Sequence, residues 1–123
     1  MREAIRILDL RDSPWVDGPG RTILETAEHL DSSKFELIVG GFRSGKSGEN
    51  CYLDEARNRR LPVREIEERK AFDFAALKEI VRIVKDDAIE VIHTHDFRTD
   101  VMGLLAAKRC GCLLYTSDAA DDL

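Results

Sequence analysis

The chain has 123 residues, 43% hydrophobic and 35% charged, which is enough apolar material for one small folded domain and too much for a disordered segment. No apolar run reaches the roughly 20 residues of a membrane-spanning helix, and Met1-Arg2-Glu3-Ala4-Ile5 passes straight into a strand pattern, so no signal peptide is expected. The net charge of −5 argues against nucleic acid as a partner; three cysteines without an export signal read as reduced thiols of a cytoplasmic protein, a peripheral place at the inner face of the membrane being compatible with both.

The first predicted strand is Ile5 to Leu10, a short and mostly apolar run. Pro14, Gly18, Pro19 and Gly20 make the stretch from Arg11 to Gly20 a loop. Ile23, Leu24, Ala27 and Leu30 recur at helical spacing, which predicts a helix from about Arg21 to Leu30, broken by Asp31-Ser32-Ser33. Phe35 to Val39 is the second strand, and Gly40 to Asn50 a polar, glycine-rich connection. Tyr52 to Arg60 forms a weaker helix on Leu53 and Ala56, followed after Pro62 by a third extended segment, Val63 to Ile66. The strongest helix has Asp73 as N-cap, with Leu77, Ile80, Val81 and Val84 at i, i+3, i+4 and i+7. Ile89 to Thr94 is the fourth strand. Val101, Leu104 and Leu105 mark a last helix, which ends on Lys108 and Arg109 before Gly111, a residue suited to a helix C-terminus.

This β-α-β-α-β-α-β-α order predicts an α/β fold: a Rossmann-like, doubly wound parallel sheet with helices on both faces and strand order 3-2-1-4. Ligands of such sheets bind beyond the carboxyl ends of the strands, where the strand order reverses, here between strands 1 and 4. Two features fall there. The loop Asp17-Gly18-Pro19-Gly20-Arg21 leads into a helix whose free N–H groups and dipole favour an anion, although a tight turn and a solvated Arg21 are the plainer reading of the same residues. His93-Thr94-His95-Asp96 gathers titratable groups at the end of an apolar strand, with His93 and His95 on one face. Each histidine taken singly is more commonly a satisfied core or surface residue.

Two other chemistries are weighed and set aside. His-x-His with Asp96 raises zinc, but no third ligand stands nearby and the cysteines are distant, so no metal is expected. Gly40-Gly41-Phe42-Arg43-Ser44-Gly45-Lys46-Ser47 fits the P-loop pattern letter for letter, with Lys46 for the phosphates and Ser47 for magnesium. A P-loop runs directly into a helix, whereas Gly48, Glu49 and Asn50 interrupt this one. A P-loop hydrolase or kinase-like domain is therefore the alternative reading, and a non-catalytic α/β binding domain a third. Cys51 and Cys110 have no adjacent base that would make either a nucleophile.

An ordered series of segments carries a family resemblance. It consists of Ile5-Arg6-Ile7-Leu8, Gly18-Pro19-Gly20-Arg21, Leu24 with Ala27-Glu28-His29-Leu30, and Phe35-Glu36-Leu37-Ile38-Val39, then Phe72-Asp73-Phe74-Ala75-Ala76-Leu77, Val91-Ile92-His93-Thr94-His95-Asp96 and Gly103-Leu104-Leu105-Ala106-Ala107-Lys108-Arg109-Cys110-Gly111. Together they resemble the N-terminal domain of the retaining GT-B glycosyltransferases of family 4. The resemblance implies the N-terminal, acceptor-side half of a GT-B fold. It also implies transfer of a sugar from a nucleotide-diphosphate donor to a glycan or lipid-linked acceptor with retention, using no cofactor and no metal. By the same resemblance Gly18, Gly20 and Arg21 approach the donor phosphate or sugar, and His95, Asp96 and Arg98 line the acceptor side of the cleft. No catalytic residue is assigned. The nucleotide pocket and paired glutamates of the family's C-terminal domain have no counterpart here, so the chain alone is expected to be inactive.

The end of the chain reads differently. Cys112 to Asp121 corresponds residue by residue to a translated transposase-type sequencing adapter, TGT CTC TTA TAC ACA TCT GAC GCT GCC GAC. The expected organisation is therefore a Rossmann-like domain over residues 1–111, truncated near Gly111, and an artefactual tail over 112–123. All 19 basic residues precede that tail, and without Asp118, Asp121 and Asp122 the net charge falls to −2. Leu113-Leu114-Tyr115-Thr116 is nevertheless compatible with a fifth strand beside the fourth.

Overall fold

The computed structural model describes residues 4–44, 48–69 and 73–117. Within them β1 (Ile5–Arg11), β2 (Phe35–Ser44), β3 (Val63–Glu68), β4 (Val91–Thr94) and β5 (Leu113–Thr116) form one parallel sheet, ordered β3-β2-β1-β4-β5. The first four strands take the predicted 3-2-1-4 order, and β5 extends the sheet beside β4.

Side chains alternate between the two faces of a strand. Leu8, Leu10, Ile38, Ile66 and Ile92 therefore bury one face against α3 (Phe74–Asp86) and α4 (Phe97–Cys110), meeting Ala76, Ile80, Met102 and Ala106. Leu37 and Val39 bury the opposite face against α1 (Gly18–His29) and α2 (Cys51–Asn58), through Ile23, Leu24, Tyr52, Leu53 and Ala56. Two helices on each side make the sheet doubly wound. Among the described residues no helix is long and apolar enough to cross a membrane.

Every helix starts on a side chain that accepts one of the N–H groups its first turn leaves unpaired. Asp17 accepts from Gly20, Asn50 from Leu53, Asp73 from Ala75 and Asp96 from Thr99. Asp73 is the cap expected from sequence. Gly111 closes α4 at φ 73°, a left-handed conformation that a residue without Cβ adopts at little cost.

Two boundaries depart from the sequence reading by three residues or more. α1 begins at Gly18 rather than Arg21, so Gly18, Pro19 and Gly20 are its first turn and not a loop. Asp17 caps that turn, and Pro19 suits it because no intrahelical partner awaits an N–H there. β2 runs to Ser44 where a connection was expected from Gly40. Gly40 and Gly41 pair with Leu10 and Arg11 on one side and with Arg64 and Glu65 on the other. Their lack of Cβ admits the side chains of Leu8, Leu10 and Leu53, which press within about 3 Å of where one would stand.

That extension undoes the P-loop alternative. Five of the motif's eight positions, Gly40 to Ser44, form a strand whose N–H groups serve the sheet and do not cradle a phosphate. Gly45, Lys46 and Ser47 lie outside the described residues, as does Phe72 of the family series.

Candidate functional site

The carboxyl ends of β1 and β4 carry a polar cluster built around a buried carboxylate. Parallel pairing sets Asp9 opposite His93. Leu8 and Leu10 turn into the core under α3 and α4, so Asp9 turns to the other face, where it is 1% exposed. His93 Nδ1 lies 3.2 Å from Asp9 Oδ2, and His95 Nε2 lies 2.8 and 2.9 Å from Oδ1 and Oδ2. A carboxylate only accepts, so both facing ring nitrogens donate, which selects the tautomer of each imidazole. Burial pushes the Asp9 carboxyl upward, but its bonds to the two histidines outweigh burial and hold it below the usual carboxylate range.

The two rings stand 4.2 Å apart, centre to centre. Ser117 Oγ lies 2.9 Å from His93 Nε2 and 2.8 Å from His95 Nδ1. Ser117 belongs to the stretch expected to be adapter-derived, so the site rests on Asp9, His93 and His95. Beside them opens a cavity of about 450 Å³, whose lining includes Asp9, Pro19, Thr22, Ile23, His93 and His95. Asp9 corrects the expectation that His93 and His95 lack a third ligand. It is remote in sequence, but strand register brings it to both rings.

The N-terminus of α1 is organised by a buried cation. The Arg11 guanidinium is 5% exposed, donates to the Trp15 carbonyl at 2.7 Å, pairs with Asp17, and lies 4.8 Å from the centre of the Tyr52 ring. Asp17 Oδ1 also accepts the Gly20 N–H at 2.9 Å. The helix end read from sequence as an anion site thus already holds a carboxylate of its own chain. Gly20 is buried with its N–H engaged, and Pro19 has none, whereas Gly18 and Arg21 are exposed.

Asp96 and Arg98 are likewise engaged within the fold. Asp96 Oδ1 accepts from the Thr99 N–H at 3.0 Å and from Thr99 Oγ1 at 2.7 Å, while Oδ2 accepts the Asp12 N–H at 2.8 Å. Arg98 pairs with Asp12, reaches Glu68 Oε1 at 2.6 Å, and lies 5.2 Å from the centre of the Phe42 ring. Burial pushes the Glu68 carboxyl above its usual range, against the opposing pull of Arg98.

Of the six residues expected at the site, His95 is the one that lines the cavity. Sequence reasoning passed over Asp9 and Arg11. Their signal was available: two charged residues at alternate positions of an otherwise apolar strand, Ile7-Leu8-Asp9-Leu10-Arg11, mark one polar face at its carboxyl end.

The family model for Glycosyltransferase Family 4 matches residues 16–117. No curated protein matches the sequence. Among solved structures, the chain is similar to Anabaena Alr3699/HepE in complex with UDP, with TM-score 0.71 and 15% identity over 91% of this chain and 29% of that one. It is similar to a glycosyltransferase from Rickettsia africae ESF-5, with TM-score 0.73 and 18% identity over 94% of this chain and 30% of that one. A Listeria monocytogenes structure provisionally assigned as a UDP-N-acetylglucosamine 2-epimerase gives TM-score 0.66 at 14% identity, covering 94% and 31% of the two chains. At these identities the likeness is one of fold. The chain spans about three tenths of the length of each of these structures.

Proposed function

The chain belongs to Glycosyltransferase Family 4, and from that premise we propose that it is the N-terminal, acceptor-side half of a sugar transferase. The complete enzyme would move a sugar from a nucleotide-diphosphate donor to a glycan or lipid-linked acceptor, with retention, in glycan, polysaccharide or glycolipid biosynthesis. The observation that carries this reading is the cavity beside Asp9, His93 and His95 at the switch between β1 and β4, where doubly wound sheets bind their ligands. The UDP held by the Anabaena structure of the same fold supports a nucleotide diphosphate as the donor's leaving group.

In this reading His95, held by Asp9, faces the acceptor, while Asp96 and Arg98 shape the rim from behind. Exposed Gly18 and the Arg21 side chain approach the donor phosphates. Gly20 acts indirectly, by admitting Arg11 beneath the first turn of α1. The nucleotide would be held mainly by a second Rossmann-like domain, so this chain alone would not turn over. Residues 112–123 belong to the adapter in the same reading, and residues 1–111 form the domain.

One experiment tests the whole reading. The source genome is re-sequenced across the Gly111 codon, and the full reading frame is expressed and assayed with nucleotide-diphosphate sugars. The expected result is a frame that departs from Cys112 onward and encodes a second Rossmann-like domain. Its product should keep the donor's anomeric configuration by NMR. A gene that continues through Leu113-Leu114-Tyr115-Thr116 refutes the tail assignment. A full-length protein that transfers no sugar, or inverts the anomeric centre, refutes the function.

A further inference from the structure

We propose that Asp9, His93 and His95 form a binding site for one divalent transition metal ion of the zinc class. Each residue offers one ligand atom, and the three atoms lie within 4.8 Å of one another. With bonds near 2.0 Å, two ligands of a tetrahedral ion stand about 3.3 Å apart. His93 Nδ1 and Asp9 Oδ2 already stand 3.2 Å apart, and His95 Nε2 is slightly closer to the carboxylate, at 2.8 Å. The two histidine nitrogens make the widest pair, up to 4.8 Å, so gathering the set around an ion draws them together by up to about 1.5 Å, within the reach of side-chain rotation. Two imidazoles and one carboxylate are ligands of intermediate softness, which suits zinc and cobalt and is unlike the all-oxygen shells of magnesium and calcium.

The surroundings favour the same assignment. Asp9 is buried while both rings are partly exposed, so the carboxylate anchors the set from beneath and an ion reaches it from the cavity side. Three protein ligands leave a fourth position open towards that cavity.

Proton counting adds an independent argument for this chain. When both rings are neutral and donate to Asp9, their other nitrogens both need a donor, and the single Ser117 hydroxyl supplies one. An ion in place of the two donated protons moves those protons to the far nitrogens. Ser117 Oγ then accepts from both, the supporting contact that metal-bound histidines ordinarily make. The ligands themselves all lie within residues 1–111.

The assignment is independent of sugar transfer, because it is tested by direct binding to this chain. The chain is titrated with Zn²⁺ by calorimetry and with Co²⁺ by visible absorption. The expected result is one ion per chain, with the intense d–d bands of a tetrahedral cobalt site and affinity lowered at least about tenfold in both His93→Ala and His95→Ala. His93→Gln, which keeps a polar side chain of similar reach, serves as the second variant should His93→Ala not fold by circular dichroism. Three outcomes overturn the proposal. These are no uptake of either ion, uptake that persists in the histidine variants, and a thiolate-to-cobalt charge-transfer band, which would place the ion on Cys51, Cys110 or Cys112.

Discussion

The Arg11 guanidinium occupies the space that any side chain at Gly20 would need. A Cβ there would stand 2.6 Å from Arg11 Nη1 and 3.1 Å from the Trp15 carbonyl oxygen, whereas a Cβ at Gly18 would meet nothing within 4 Å. Arg11 cannot easily retreat, because Trp15, Asp17 and Tyr52 hold its buried head group. Gly20→Ala is therefore expected to destabilise the fold by about 1–3 kcal/mol of overpacking, reduced by the roughly 1 kcal/mol that alanine gains in a helix. Gly18→Ala is expected to be neutral or mildly stabilising. Thermal melts of the two variants check this, and equal effects would refute the packing role of Gly20.

Asp17 should make α1 sensitive to acid. The Gly20 N–H, followed by the charge and hydrogen bond of Arg11, holds its carboxyl below the ordinary value of 3.8 despite some desolvation. A carboxyl depressed in the folded state stabilises above its unfolded pKa, and that stabilisation disappears as pH falls through its folded pKa. The melting temperature of Asp17→Asn should therefore fall less than that of the parent between about pH 5 and pH 2.5. Parallel curves for the two proteins would show that the carboxylate contributes nothing.

Tyr52 buries a hydroxyl for which no described residue provides a partner, and burial pushes its pKa far upward. An unsatisfied buried polar group costs about 1–3 kcal/mol. Tyr52→Phe removes it and keeps the ring beneath Arg11. The expected outcome in chemical denaturation is a gain of about 1 kcal/mol at an unchanged m-value. A loss of that size would instead reveal a hydrogen bond to the hydroxyl.

Gly103 lets α4 approach the sheet. A Cβ there would stand 2.7 Å from Thr94 Cγ2 and 3.4 Å from Ile92 Cγ2, both on β-branched side chains that rotate little. Ala106 and Ala107 continue the same small-residue face. Gly103→Ala should cost about 1–3 kcal/mol despite its better helix propensity. Because Thr94 Oγ1 also donates to Asp100 at 2.6 Å, the variant should weaken hydrogen-exchange protection at the start of α4 as well.

The family series in the sequence located the correct fold because its parts are local. Asp73 capping α3, the run from Leu77 to Val84, and Gly111 ending α4 each follow from a handful of neighbouring residues. The alternation of strand and helix then left few topologies, and the 3-2-1-4 order followed. Local reading was weaker where one residue type has two uses. Gly18 and Gly20 look alike as a phosphate turn, and only the position of Arg11 separates an open glycine from a packed one. Gly40 and Gly41 look like the start of a phosphate loop, yet they sit within the sheet because Leu8, Leu10 and Leu53 occupy the space above them.

Composition and periodicity by themselves thus determined the fold class and the order of the first four strands. The 43% hydrophobic content, arranged in runs of alternating period, can be buried in few ways. Tertiary structure alone decided which polar residues meet. Asp9 and His95 stand 86 positions apart, and their contact exists because β1 and β4 pair in parallel with Asp9 opposite His93. Register is a property of two strands together, and a shift by one residue would have turned Asp9 into the core and away from both rings.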